Sequence, residues 1–265
     1  MLRSGTSLDL RAALSAEIRA AQDELSGQLS ARAVHAARVR LKRARALARI
    51  GRAGAPGLAA VFDETARAAM RALAPIRELS ALGQTANQTA KKLRGADRQA
   101  LQQLAQRLRL IAETQPGLDR TALAGALKDL LALAQVWPEA SPRQLARGAR
   151  AIIGRARRAR KAGLKSRALD TRHKWRRREK QRLYAIEAYG ADWPERRRRS
   201  LTARICEALG KERDARLLLQ HLREGAIAAN DAPPPKAATR ALKQRARRWR
   251  KLADRLGRDL SASGG

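Results

Sequence analysis

Four cationic side chains, His35, Arg38, Lys42 and Arg45, recur at steps of three, four and three residues. That spacing returns each of them to nearly the same side of an α-helix. At 1.5 Å per residue the stripe they form is about 15 Å long, more than one phosphate group needs. Guanidinium groups hold phosphate oxygens two at a time, and an ammonium between them acts as a point charge. The pattern therefore suits the holding of an extended polyanion. Beside it, Val34, Ala37, Leu41, Ala44 and Ala48 form an apolar face, so one helix can pack on one side and present charge on the other.

A second stripe, His173, Arg176 and Lys180, opens the segment HKWRRREKQRLYAIE. The two are related by an internal repeat. His35 recurs as His173 and Pro56 as Pro194, both 138 residues later, and Arg77-Glu78 recurs as Arg213-Asp214 at an offset of 136. Landmarks at nearly one offset argue for a duplicated unit of several helices, in which the two stripes could face each other across a pseudo-two-fold axis.

The elements that must position these residues read as helices throughout. Hydrophobic residues make up 44% of the 265, mostly Ala and Leu, while aromatics reach only 3%. Ala and Leu favour helices, and strands want Val, Ile, Tyr and Phe, so the fold class is all-α, a helical bundle. Helices are expected over residues 9–25, broken by Gly27, and through the first stripe to Gly51, where GRAGAPG makes a turn. A helical tract over 58–93 is interrupted or kinked at Pro75. The helix over 96–113 has Leu101, Leu104, Leu108 and Ile111 as its apolar stripe and closes at Gln115-Pro116-Gly117. Another spans 118–136 and stops at Trp137-Pro138. A strongly cationic run from Pro142 leads into the second stripe, Trp193-Pro194 makes a corner, and a helix follows over 195–229. Asp231-Ala232-Pro233-Pro234-Pro235 reads as a stiff linker before a last helix over 236–260. Residues 1–7 read as a polar tail and 261–265 as disordered. The chain is thus one domain of two repeats, about 9–115 and 142–260, joined by the helix over 118–136.

Composition bounds the partner. Lys and Arg number 58 against 24 Asp and Glu, a net charge of +34, and a fold with that excess repels itself unless a polyanion neutralises it. Nucleic acid, an anionic membrane surface and inorganic polyphosphate are the candidates. The single cysteine, Cys206, excludes an internal disulfide or a thiolate metal cluster and reads as a small buried residue. No apolar segment follows Met1, and no uninterrupted run approaches the ~20 residues that span a bilayer. A cytoplasmic, soluble protein is expected, with no membrane insertion.

The motif H-x-x-R-x-x-x-K, repeated, with an R-[DE] pair on a helix downstream in each half, resembles the CHAD family (conserved histidine α-helical domain), over roughly residues 9–260. The resemblance implies two pseudo-symmetric helical halves around a basic central cavity or pore that binds inorganic polyphosphate, in some members on polyphosphate granules. It nominates His35, Arg38, Lys42 and Arg45 in the first half and His173, Arg176 and Lys180 in the second. Arg77 and Arg213 of the R-[DE] pairs and Arg240, Lys243 and Arg247 of the last helix complete the candidate polyphosphate-binding set. Tyr184 and Glu187 match the family's second-half R-Y-x-x-E. There the sequence departs from the pattern, with Leu183 before the tyrosine and Arg182 one position earlier, a shift of about 100° around a helix. Glu78 stands where Asp is commoner. The first wall, with Arg45, is therefore expected to be the more complete.

The chemistry favours a binding protein over an enzyme. No Gly-rich phosphate loop and no Ser/His/Asp or Cys/His arrangement is visible, and the histidines lack the clustering with carboxylates or cysteine that a metal site needs, so no cofactor or metal is expected. His35 and His173 are read as hydrogen-bond donors to phosphate oxygens and His221 as a structural or capping residue. Glu78 and Asp214 are read as partners that aim nearby arginines. Nucleic acid would explain the charge through phosphate contacts, but scarce aromatics argue against single-strand binding by stacking, with Trp175 and Trp249 read as packing between helices. Membrane-surface binding would need free apolar faces. An enzyme acting on phosphorylated substrates would show itself by a divalent-metal requirement.

Overall fold

The computed structural model describes residues 8–27, 29–113, 119–195, 198–224 and 236–262. Among these, ten α-helices follow one another with no strand: α1 Leu10–Ser26, α2 Ala31–Ile50, α3 Pro56–Ala72, α4 Ala74–Ala90, α5 Gly95–Glu113, α6 Arg120–Gln135, α7 Pro142–Lys165, α8 Leu169–Tyr189, α9 Arg199–Arg223 and α10 Lys236–Ala262. Starts are set by local chemistry. The side chains of Asp9, Ser30 and Asp119 accept hydrogen bonds from the N–H groups of Ala12, Ala33 and Ala122, each cap worth about 1 kcal/mol. Pro56 opens α3, where its missing N–H costs nothing.

The tract over 58–93 is interrupted as Pro75 demands, with Leu73 between α3 and α4. Two expectations are corrected. The helix after the Trp193-Pro194 corner starts at Arg199 rather than 195; Glu195 lies in a bend, with its carboxylate drawn to Arg157 and, at 3.4 Å, to Arg182. Ser261 and Ala262 are helical rather than disordered, because the Ser261 hydroxyl donates to the Gly257 carbonyl at 2.9 Å and accepts from Arg160 at 3.1 Å. The 1–7 tail, the Gln115-Pro116-Gly117 turn, the end of the 195–229 helix from 225, the 231–235 linker and 263–265 lie outside the described residues.

The chain divides into two compact units. Unit 1 comprises Met1–Leu73, Leu118–Ala159 and Arg177–Arg199. In it α1 packs on α2 and α6, and α3 packs on the same two helices. Leu14, Ile18, Leu41, Ile50, Phe62 and Trp137 are fully buried there, and the Phe62 and Trp137 rings meet edge to face at 5.8 Å. Gly148 permits the approach of α7 to the end of α2, since a Cβ there would stand 1.9 Å from the Ile50 carbonyl oxygen.

Unit 2 comprises Ala74–Gly117, Arg160–Arg176 and Ser200–Gly265. Its core joins Leu82, Ala86 and Ala90 of α4 to Leu101, Leu104 and Leu108 of α5, Leu218 of α9 and Leu242 of α10. The α5 stripe continues through buried Ala112, leaving Ile111 41% exposed. Trp175 is fully buried; a Cβ on Gly163 or Gly257 would come within 2.6 or 2.7 Å of its ring. Arg172, three residues before it, is buried as well. Its guanidinium donates to Glu212 of α9 at 2.8 Å, to Asp254 of α10 at 2.8 Å and to the Gly163 carbonyl at 3.0 Å. Cys206 is buried. No helix of the described residues is long and apolar enough to cross a membrane.

Candidate anion-binding site

Each unit holds a cluster of cations around a few carboxylates. In unit 1 the apolar face read for α2 is buried: Val34, Ala37, Leu41, Ala44 and Ala48 are all within the core. Of the stripe beside it, His35 is exposed while Arg38, Lys42 and Arg45 are half-buried. The Arg38 guanidinium donates to the Met70 carbonyl. Arg45 donates to both carboxylate oxygens of Asp63, at 2.9 and 3.4 Å. Asp63 is shared further, with Arg49 and with Arg67 at 2.6 Å.

One carboxylate thus faces three guanidiniums. Burial pushes the Asp63 carboxyl up, but the Arg45 hydrogen bond and the charges of Arg49, Arg45 and Arg67 outweigh it and hold it below its ordinary value. For Arg49 the balance goes the other way. Burial, then the charge of Arg45, lower it to about 10 despite Asp63. The guanidinium stays protonated at neutral pH, and the drop comes first from burial and then from the neighbouring positive charge.

Lys180 also belongs to unit 1. Its ammonium lies 5.4 Å from the Tyr184 ring and 3.5 Å from the phenol oxygen. Tyr184 and Glu187, the family-pattern residues, line a cavity of about 520 Å³ together with Glu17, Arg43 and Arg199. Arg43 pairs with Glu187 at 3.6 Å, and Arg199 pairs with the same carboxylate at 3.1 Å. Arg182 is buried and turned to Glu179 at 3.7 Å and Glu195 at 3.4 Å, while Leu183 packs in the interior. The one-residue shift thus binds Arg182 to structural carboxylates.

In unit 2 the structure brings together Arg77 of α4, Arg176 of α8 and Arg213 of α9, with Glu78 and Asp214 beside them. Arg213 lies 3.4 Å from Asp214 and 3.9 Å from Glu78, as expected of carboxylates that aim arginines. Burial lowers the pKa of Arg77, Asp214 opposes this, and the charges of Arg176 and Arg213 reinforce it. The Arg176 guanidinium lies against Gly210: a Cβ there would stand 3.2 Å from Nε and 3.4 Å from Nη2. That Nε is buried and makes no hydrogen bond among the described residues. His173, also of unit 2, is half-buried.

The α10 nominees Arg240, Lys243 and Arg247 are exposed. Arg245, which sequence reasoning missed, is half-buried on the same helix. It donates to Gln88 at 2.5 Å and keeps a buried Nε without a hydrogen bond. Burial lowers its pKa, and the charge of Asp214 works against that. A signal was present: Arg245 stands three residues after Leu242 and four before Trp249, an arginine at an apolar register. Arg172 and Glu212 were missed too, hidden in a segment where every turn carries charge. His221 lies in the last turn of α9. No group of three His, Cys, Asp or Glu among the described residues could hold a metal ion.

A family model described as CHAD domain matches residues 12–223, which span both stripes and both R-[DE] pairs. No curated protein and no solved structure matches the chain.

Proposed function

From the premise that this chain belongs to the CHAD domain family, we propose that it binds inorganic polyphosphate through the α2 stripe and the Arg77, Arg176 and Arg213 cluster, as a binder rather than an enzyme. The observation that carries the reading is the Arg176 guanidinium, held half-buried against Gly210 with a donor unused, amid arginines whose carboxylates do not neutralise them. A linear phosphate chain supplies acceptors and charge without bases, and rigid helices hold the donors in place before it arrives. The finer architecture that goes with the family, two pseudo-symmetric repeats around a basic cavity, belongs to the same proposal and is supported by the recurrence of the motif 138 residues on. So do a cytoplasmic location and association with polyphosphate granules.

Size-defined polyphosphate titrated against duplex and single-stranded DNA at physiological salt tests the reading. Long-chain polyphosphate is expected to bind with a steep salt dependence, more tightly as the chain lengthens, and to displace DNA. If DNA wins that competition, the alternative of a non-specific nucleic-acid binder replaces it. Arg38→Ala combined with Arg176→Ala should weaken binding while helicity by circular dichroism is kept. Incubation with polyphosphate and Mg²⁺ should leave the chain length unchanged.

A further inference from the structure

Met70 stands in the last turn of α3, with one stripe arginine on its carbonyl and another on its sulfur. The carbonyl accepts from the Arg38 guanidinium, and the thioether sulfur lies 3.6 Å from Nη1 of Arg45. The other edge of Arg45 is committed to Asp63, through Nε at 2.9 Å and Nη2 at 3.4 Å. The Nη1 end is therefore the part of this arginine left for a phosphate oxygen. It rests on sulfur, a weak acceptor that a charged oxygen displaces readily.

Methionine occurs twice in the chain, as Met1 and Met70. Among the described residues the other sulfur belongs to Cys206, which is 2% exposed, whereas Met70 is half-buried. Susceptibility of sulfur to oxidants follows exposure, so Met70 carries the described sulfur that an oxidant reaches first.

We propose that Met70 is an oxidation site, converted by hydroperoxides to the sulfoxide, and that the sulfoxide oxygen holds Arg45 back from polyphosphate. In the step itself a sulfur lone pair takes the terminal oxygen of the hydroperoxide. The S–O bond forms as the O–O bond breaks, and sulfur gives up two electrons. The proton of the transferred oxygen passes to the departing one, which leaves as water or an alcohol. A polar acceptor then replaces a weak one. With sulfur and Nη1 already 3.6 Å apart, an oxygen on that side of the sulfur lies within hydrogen-bond reach of the guanidinium. A phosphate must break this charge-assisted bond to reach Nη1, which weakens binding roughly tenfold. The effect on polyphosphate rests on the function proposed above; the oxidation and the contact with Arg45 do not.

The test treats the full chain with hydrogen peroxide and follows Met70 by peptide mass spectrometry, where its peptide should gain one oxygen. Urea denaturation then compares treated and untreated protein in wild type and in Arg45→Ala, or in Arg45→Gln if the alanine variant loses helicity. Oxidation should lower the midpoint less in wild type, where Arg45 receives the new oxygen, than in the variant. In calorimetry, treated wild type should bind long-chain polyphosphate about tenfold more weakly than untreated. Met70→Leu, which keeps the carbonyl for Arg38, should lose both responses to peroxide. A Met70 that stays unoxidised, equal midpoint shifts with and without Arg45, or unchanged polyphosphate affinity after complete oxidation overturns the proposal. If untreated protein fails to bind polyphosphate, the function proposed above falls, and the midpoint comparison still decides whether Arg45 holds the sulfoxide.

Discussion

Replacing Arg172 by Met removes the central cation of the buried network in unit 2. Arg172 and Glu212 each have side chains 3% exposed, and Asp254 is 22% exposed. Loss of the guanidinium leaves Asp254 able to find water but leaves the Glu212 carboxylate in the interior with only Arg216, at 3.8 Å, as a cation. Breaking a buried pair by removing one partner costs about 3–5 kcal/mol, a large share of the stability of a domain. The cost should depend on pH in a definite direction. Burial already raises the Glu212 carboxyl above its ordinary 4.5, against the charge and hydrogen bond of Arg172. Without Arg172 it rises further, so the folded variant takes up a proton that the unfolded chain does not hold. Stability relative to wild type is then regained as the pH falls from 7 towards 4.5, at up to about 1.4 kcal/mol per pH unit. Urea denaturation followed by circular dichroism at pH 7, 6 and 5 measures this. Arg172→Met with Glu212→Leu should recover most of the loss, since a packed apolar pair can replace a buried ionic one. Arg176 lies one helical turn beyond Arg172, so polyphosphate affinity should fall in the single variant and return in the double. A penalty below 1 kcal/mol, or one that does not change with pH, would refute the reasoning.

Three further outcomes follow from single contacts. Asp63→Asn should cost roughly 3 kcal/mol by chemical denaturation at pH 7, because buried Arg49 loses its carboxylate. As the folded Asp63 carboxyl lies below its ordinary 3.8, that contribution is present above about pH 3.8 and is lost as the pH falls through the lower folded value, so the two proteins should converge in strong acid. Gly148→Ala sets a methyl carbon 1.9 Å from the Ile50 carbonyl oxygen, backbone against backbone, and should lower stability by about 3 kcal/mol or more, read as the melting temperature. Gly210→Ala meets only the Arg176 side chain at 3.2 Å. It should leave stability within about 1 kcal/mol while weakening polyphosphate binding roughly threefold to tenfold by calorimetry.

The helices were legible because the sequence speaks through local signals: Ala and Leu at helical spacing, Pro75 as an interruption, Gly27 and Gly51 as ends. The apolar face of α2 emerged whole for the same reason. Ile111 shows where periodicity misleads. Three- and four-residue steps fit 108 to 111 and 108 to 112 alike, and only the packing of α5 chooses Ala112. Arg172 and Arg182 show a deeper limit. Both sit in a segment where nearly every residue is charged, so no contrast marks which cations turn inward, and the carboxylates that claim them, Glu212 and Glu195, come from 40 and 13 residues away. Trp175 was readable as a packing residue, but that Gly163 and Gly257 make room for its ring is a long-range fact.

The placement of the few acidic residues bears on how such a basic chain would bind an anion. A carboxylate next to a binding arginine subtracts a charge, so Asp63, Glu78 and Asp214 should weaken attraction. What they add is geometry. An arginine side chain has about 2 kcal/mol of rotamer entropy to lose on being fixed, and a carboxylate within 3 Å makes that loss part of folding rather than of binding. Arg45 on Asp63 is held in this way while Arg49 and Arg67 crowd the same oxygens. With 58 cations against 24 acids, the chain can give up some positive charge and still attract a polyanion strongly. Asp63 orders three guanidiniums with a single charge, so the group it holds in place stays net positive.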